Sequence, residues 1–177
     1  MTHEFLDLSN LLVRPLDAIQ VSGMERPLDC ITVRSAVAAD VPQLCRLLSY
    51  LFAQEREFVP DEARQQKGLH LILNHPETGH IHCAHEGSTI IGMVSTLFTV
   101  STAEGGRAAW LEDMVVHPDW RGFEIGGRLL NAAIQDAKAA GCVRITLLTD
   151  ADNSGAMRFY ERAGFVRSPM VPLRLKL

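Results

Sequence analysis

No run in this 177-residue chain is long and apolar enough to cross a bilayer. The longest near-apolar stretch, Ile90 to Val100, is broken by Ser95, Thr96 and Thr99 and falls short of the ~18 residues a span needs. The opening residues Met1 to Asp7 lack the basic start and apolar block of a signal peptide, so a cytoplasmic protein with no membrane partner is expected. Basic charge is not in excess either. Lys+Arg 17 against Asp+Glu 21 leaves a net −4, which argues against nucleic acid as a partner, because phosphate binding needs a basic face. Cysteine is sparse, and Cys30, Cys45, Cys83 and Cys142 show no C-x-x-C spacing, so reduced thiols, no disulfide framework and no metal are expected. Internal repeats and low-complexity tracts are missing as well.

What is present is the profile of an ordinary globular domain, with 47% hydrophobic and 21% charged residues. The length fits one domain, long enough to bury about two-thirds of its unfolded surface. Residues 1–30 show short apolar clusters without a sustained period and read as an N-terminal extension; 31–177 read as the domain. Ile31 to Val37 alternates as a strand. Asp40 with Gln43 forms a capping-box pattern ahead of a helix whose apolar face is Val41, Leu44, Leu47, Leu48, Leu51 and Phe52. Pro60-Asp61 opens a second helix to about Leu73. Strands are expected over Gly79–Glu86, Thr89–Thr99 and Ala108–Val116, a helix over Gly126–Ala140, a strand over Val143–Leu147 and a helix over Asn153–Ala163. Phe165–Arg167 and Val171–Leu177 read as two final strands. This order implies an α/β fold with a mixed sheet and helices on its faces.

The strand ending Glu112-Asp113-Met114-Val115-Val116 runs through His117-Pro118-Asp119-Trp120 into Arg121-Gly122-Phe123-Glu124-Ile125-Gly126-Gly127. A glycine-rich strand-to-helix loop gathers backbone N–H groups at the positive end of a helix dipole, where a pyrophosphate fits. It is neither a P-loop nor a G-x-G-x-x-G turn. One strand and one helix later comes Asn153-Ser154-Gly155-Ala156-Met157-Arg158-Phe159-Tyr160-Glu161-Arg162-Ala163-Gly164-Phe165. Together the two segments resemble the GNAT superfamily of N-acetyltransferases. Its loop reads R/Q-x-x-G-x-G/A, and its later helix N-x-x-A-x-x-F-Y-x-x-x-G-F, matched at Asn153, Ala156, Phe159, Tyr160, Gly164 and Phe165.

The resemblance implies a central sheet splayed between two parallel strands, and transfer of an acetyl group from acetyl-CoA, as cosubstrate, to a primary amine. The backbone of Met114, Val115 and Val116 would pair with the pantetheine arm, Arg121, Gly122, Phe123, Glu124, Ile125, Gly126 and Gly127 would hold the pyrophosphate, and Asn153 with Ala156 would contact the arm. Glu124 departs from the pattern, which has glycine there. Its carboxylate either points at the pyrophosphate and weakens binding, or points outward, four residues before Arg128, with which an acid-to-base pair would contribute only ~0.2–0.5 kcal/mol. That departure also motivates the competing reading, a CoA-binding sensor without turnover.

A lysine-like amine has a pKa near 10.4, so its attack needs a base. Glu112 is the leading candidate, with water chains as the alternative; Asp113 faces the opposite side unless a bulge intervenes. Tyr160 is the candidate acid for the leaving thiolate, facing the cleft while Phe159 packs in the core. The acceptor site is expected between the Gln54–Asp61 connection and the Ser168–Pro172 turn, with Glu55, Glu57, Phe58 and Asp113 as substrate-binding residues and the acids steering a cationic amine. The acceptor is a small molecule or a peptide, and a homodimer is left open. His80 and His82 read as solvent-facing strand residues, His117 as a turn residue, and Trp110 and Trp120 as packing aromatics.

Overall fold

The computed structural model describes residues 30–54 and 59–176. All but the last residue of the expected N-terminal extension lies outside them, as do Glu55, Glu57 and Phe58. The described residues form two compact units, 30–148 and 149–176. The first contains β1 (Ile31–Ser35), α1 (Val41–Phe52), α2 (Glu62–Leu73), β2 (Gly79–Glu86), β3 (Thr89–Ser101), β4 (Gly106–Val116), α3 (Ile125–Ala139) and β5 (Cys142–Leu147). The second contains α4 (Ser154–Arg162). Among the described residues no helix is long and apolar enough to cross a membrane.

The five strands lie in chain order in one sheet. The first four meet antiparallel, as short connections allow, and β4 and β5 run parallel with α3 as the crossover. Period-2 alternation on β2 and β3 sends Ile81, Cys83 and Met93 into one core with Leu44, Leu47 and Leu48 of α1 and Leu69 of α2. Alternate strand positions meet α3, whose Ile125, Leu129, Leu130, Ala133 and Ala137 are buried. Each such leucine contributes about 1.5–3 kcal/mol by leaving water. Gly92 sets how closely α3 approaches, since a Cβ there would stand 2.9 Å from Leu129 Cδ1 and 3.1 Å from the Val115 carbonyl oxygen.

Three expectations need correction. The Asp40–Gln43 capping box does not form. Asp40 instead accepts Arg34 Nη1 at 2.6 Å, Arg34 Nη2 at 2.9 Å and the Val37 N–H at 2.8 Å, because a two-pronged guanidinium on β1 outcompetes a neutral backbone donor. Gln43 ties α1 to the β2–β3 turn through Ser88 and Ile90. The two C-terminal strands are also absent, for 164–176 holds no regular strand and Val166, Met170, Val171, Leu173 and Leu175 are exposed. The alternation is there, but Pro172 removes an N–H donor from the second of these strands.

Of the two histidines expected to face solvent, His82 is buried and His80 half-buried. α3 covers that face of β2, His80 Nδ1 meets Asp136 at 2.7 Å, and buried His82 is kept neutral by desolvation, its pKa held below the usual histidine range. Within the second unit, Phe159 and Tyr160 stand side by side on α4. Both are half-buried, and their rings meet edge to face at 5.1 Å, which a 100° step around a helix permits for two long side chains.

Candidate active site

The site in the first unit begins where a strand pairing stops. Parallel pairing of β4 with β5 runs from Arg107↔Cys142 to Leu111↔Leu147 and ends there. Antiparallel pairing of β4 with β3 continues through Met114, Val115 and Val116. The splay implied by the resemblance therefore falls at Glu112, and the three residues assigned to the pantetheine arm lie beyond it.

On its other side β4 carries a bulge at the same place. Val94 pairs with Met114 but Thr96 with Leu111, so Ser95 alone faces both Glu112 and Asp113. The extra residue bends β4 and lets the second acid turn inward. Fully buried Ser95 accepts the Asp113 N–H at 3.0 Å through Oγ and donates from the same hydroxyl to Asp113 Oδ2 at 2.9 Å. Burial pushes the Asp113 carboxyl up to about 6, the Ser95 hydrogen bond draws it down, and the charge of Glu112 raises it further. Glu112 is exposed and makes no hydrogen bond or ion pair among the described residues. Sequence reading missed Ser95; its signal was the Ser95-Thr96 hydroxyl pair interrupting an otherwise apolar strand.

From Val116 the chain enters the loop. His117 accepts the Asp119 N–H at Nδ1, so it is a turn residue as expected, with Tyr50 of α1 edge-on at 5.0 Å. The turn brings Arg121 back beside β4, where its Nε donates to the Val116 carbonyl at 3.3 Å; burial draws the guanidinium's pKa below its ordinary value. Trp120 packs edge-on to Phe123, whereas Trp110 on β4 remains 36% exposed.

Gly122 and Glu124 both take left-handed backbone, φ 87° and 57°, and Glu124 is the one non-glycine residue that does so among the described residues. This is a physical reason for the glycine of the family pattern: a side chain at that φ costs about 1–2 kcal/mol. The Glu124 side chain is exposed and forms no pair with Arg128, whose Nη1 donates instead to the Ile31 carbonyl at 3.0 Å. The local charge neutralisation expected from that pair is thus not made.

Asp61 and Asn153 cap α2 and α4 with their side chains, but among the described residues no side chain caps α3, so its first N–H groups face the loop. A Cβ at Gly122 or Gly127 would meet nothing within 4 Å. An open strand-to-helix cradle with uncapped amides beside a half-buried arginine suits the pyrophosphate of CoA.

In the second unit, Asn153 Oδ1 accepts the Ala156 N–H at 2.9 Å. That leaves the Asn153 side-chain NH2, and not the Ala156 amide, to meet a ligand. The Tyr160 ring also stands 5.7 Å from that of Phe165, and burial pushes its hydroxyl up to about 12, so the phenol stays protonated at neutral pH. The structure thus brings Glu112, Asp113, Met114, Val115, Val116 and the loop together in one unit, and Asn153, Ala156 and Tyr160 in the other.

The acetyltransferase (GNAT) family model matches residues 44–165. An uncharacterized N-acetyltransferase of Methanocaldococcus jannaschii is 31% identical over 100 residues, 56% of this chain and 44% of that protein, so the chain spans under half of that relative. An aminoalkylphosphonate N-acetyltransferase of Salmonella typhimurium is 30% identical over 136 residues, 77% of this chain and 85% of that protein. Among solved structures, an integron cassette protein from the mobile metagenome of Cole Harbour Salt Marsh superposes with a TM-score of 0.72 at 28% identity, covering 82% of this chain and 90% of the other. The chain belongs to the GNAT family of acetyltransferases, a family of N-acyltransferase enzymes.

Proposed function

We propose that this protein moves an acetyl group from acetyl-CoA to a primary amine of a small molecule or peptide, by direct attack in a ternary complex. The observation that carries this reading is the end of β4–β5 pairing at Leu111, with the same strand leading on through the 117–124 loop to the start of α3, where the N-cap residue makes no side-chain cap. When bound, acetyl-CoA supplies an acetyl group activated as a thioester.

The chain's own residues do the rest. The backbone of Met114, Val115 and Val116 offers a strand edge to the pantetheine amides. Arg121 and the amides of Gly122 to Gly127 hold the pyrophosphate, and Asn153 orients the arm. An acid of the bulge, Glu112 or Asp113, removes the ammonium proton of the acceptor, and Tyr160 gives a proton to the departing sulfur. Burial keeps that phenol protonated, and because a donor at about 12 gives its proton uphill to a thiolate of pKa ~8.5, the transfer needs close positioning. Asp113 serves the acceptor, and Glu55, Glu57 and Phe58, which lie outside the described residues, complete the proposed substrate-binding set. The acidity of this set favours a cationic amine, and the aminoalkylphosphonate enzyme among its relatives is in keeping with a small primary amine as substrate.

The test is thiol release from acetyl-CoA over a panel of polyamines, amino sugars, amino acids, aminoalkylphosphonates and peptides. Thiol release with at least one amine and a matching acetylated product is expected. CoA binding without thiol release for any amine would overturn turnover and leave a CoA-binding sensor, the second reading, which the carboxylate of Glu124 in the loop favours.

A further inference from the structure

We propose that Asp113, not Glu112, takes the proton from the acceptor's ammonium group, and that Ser95 is the positioning residue that aims it. This rests on the acetyltransferase reading and deepens it. In a regular ladder consecutive acids point to opposite faces, and only one could serve the acceptor. Here the bulge sets both against a single residue, and that residue is a hydroxyl with no exposed surface.

The Ser95 hydroxyl engages Asp113 twice, accepting its N–H and donating to Oδ2, so both the backbone and the carboxyl plane of Asp113 are held. Oδ1 has no hydrogen-bond partner among the described residues, which leaves one lone-pair face for an incoming N–H. Glu112, exposed and without hydrogen bonds among the described residues, has no comparable anchoring. In the transfer the N–H bond breaks, its electron pair stays on nitrogen, and the proton goes to Oδ1. The amine becomes a neutral nucleophile and Asp113 a neutral acid, which returns the proton to water after product leaves.

The surroundings suit a base that works near neutrality. Among the described residues the charge acting on Asp113 is that of Glu112. α1, packed on β3 and β4, turns Leu44, Leu47, Leu48 and the Cys45 thiol inward, and burial pushes that thiol up so that it stays neutral. From α2 the buried groups are Gln65 and Leu69. A carboxyl with a pKa near 6 is matched to proton abstraction at pH 7 better than an ordinary one.

The experiment pairs pH profiles of kcat/KM with carbon-13 titration of the Asp113 carboxyl in the ligand-free protein, for wild type, Ser95→Ala, Ser95→Thr, Asp113→Asn and Glu112→Gln. Loss of the Ser95 donor is expected to move the acidic limb and the Asp113 resonance up together by about one pH unit. Ser95→Ala should also lower kcat about tenfold with the KM for acetyl-CoA nearly unchanged, and Ser95→Thr should restore both limb and resonance. Asp113→Asn should abolish the limb and cost ~10²–10⁴ in kcat, while Glu112→Gln keeps the limb.

A limb lost in Glu112→Gln and kept in Asp113→Asn would overturn the assignment of the base. An Asp113 resonance unmoved by Ser95→Ala would overturn the role of Ser95. If the wild-type protein turns over no amine, the proposed function fails and the base assignment with it, whereas the carboxyl titration still decides whether Ser95 governs Asp113.

Discussion

The carbonyl of Val116 accepts the Nε–H of Arg121 at 3.3 Å, joining the last residue of β4 to the first residue of the loop that opens α3. One side chain thereby couples the strand edge proposed for pantetheine with the loop proposed for pyrophosphate.

Arg121→Ala should therefore weaken CoA binding by more than a lost surface charge would. A charge-assisted hydrogen bond is worth about 1.5–3 kcal/mol, so a loss of roughly tenfold to a hundredfold in affinity is expected by calorimetry. Arg121→Lys should recover little of it, since Nε and its planar geometry are gone. Equal affinity in Arg121→Ala would detach this residue from the cofactor site.

Glu124 gives a separable pair of predictions. Glu124→Gly removes both the left-handed strain and the carboxylate, whereas Glu124→Ala removes the carboxylate alone. Glycine there should stabilise the fold by about 1 kcal/mol and raise Tm by ~2–4 °C, with alanine giving no such gain. CoA affinity should be equal or higher in both variants, because the native side chain is exposed. A large loss of CoA affinity in Glu124→Gly would mean that the carboxylate takes part in binding.

The ordering of strands and helices was legible because it rests on local chemistry. Apolar alternation over Gly79–Glu86 and a helical stripe through Leu129, Leu130, Ala133 and Ala137 show in the chain itself, and the structure places those elements within a residue or two. The two linked motifs likewise marked the loop and α4. What could not be read were choices between distant competing partners. Asp40 had a local N–H within reach by pattern, but Arg34 lay on a neighbouring strand. His80 and His82 look solvated until α3, some fifty residues on, covers them with Asp136. The Ser95–Asp113 pair depends on the β3–β4 register, which one extra residue resets. The strand-like pattern of Val171, Leu173 and Leu175 records a capacity to pair, and capacity alone does not make a ladder.

Asp113 makes stability depend on pH in a definite direction. Its carboxyl titrates at about 6 in the folded protein and near 3.9 in the unfolded chain, so between these values the folded state binds more protons. Unfolding free energy attributable to this group must fall as pH rises from about 4 to 6, and then level off. Asp40 works in the opposite sense. Arg34 holds its pKa below the usual carboxylate range, so its contribution is complete above about pH 4 and is lost only on further acidification. Buried His82, whose pKa lies below the usual histidine range, acts in the opposite sense within the same window, so the share of Asp113 is the part of the difference between denaturant titrations at pH 4.5 and 7 that Asp113→Asn removes.

Tyr160→Phe removes one oxygen from a ring held by Phe159 and Phe165. Packing survives the change, so CoA affinity should stay within about twofold of wild type while kcat falls by ~10²-fold, the scale of a lost general acid. The raised pKa of the phenol carries a further consequence. A donor that titrates at about 12 contributes no basic limb below pH 10, so any basic limb of the wild-type profile in that range must persist in Tyr160→Phe. If that limb vanishes with the hydroxyl, the phenol titrates far below the value its burial dictates, and the proton reaching the sulfur comes by another route.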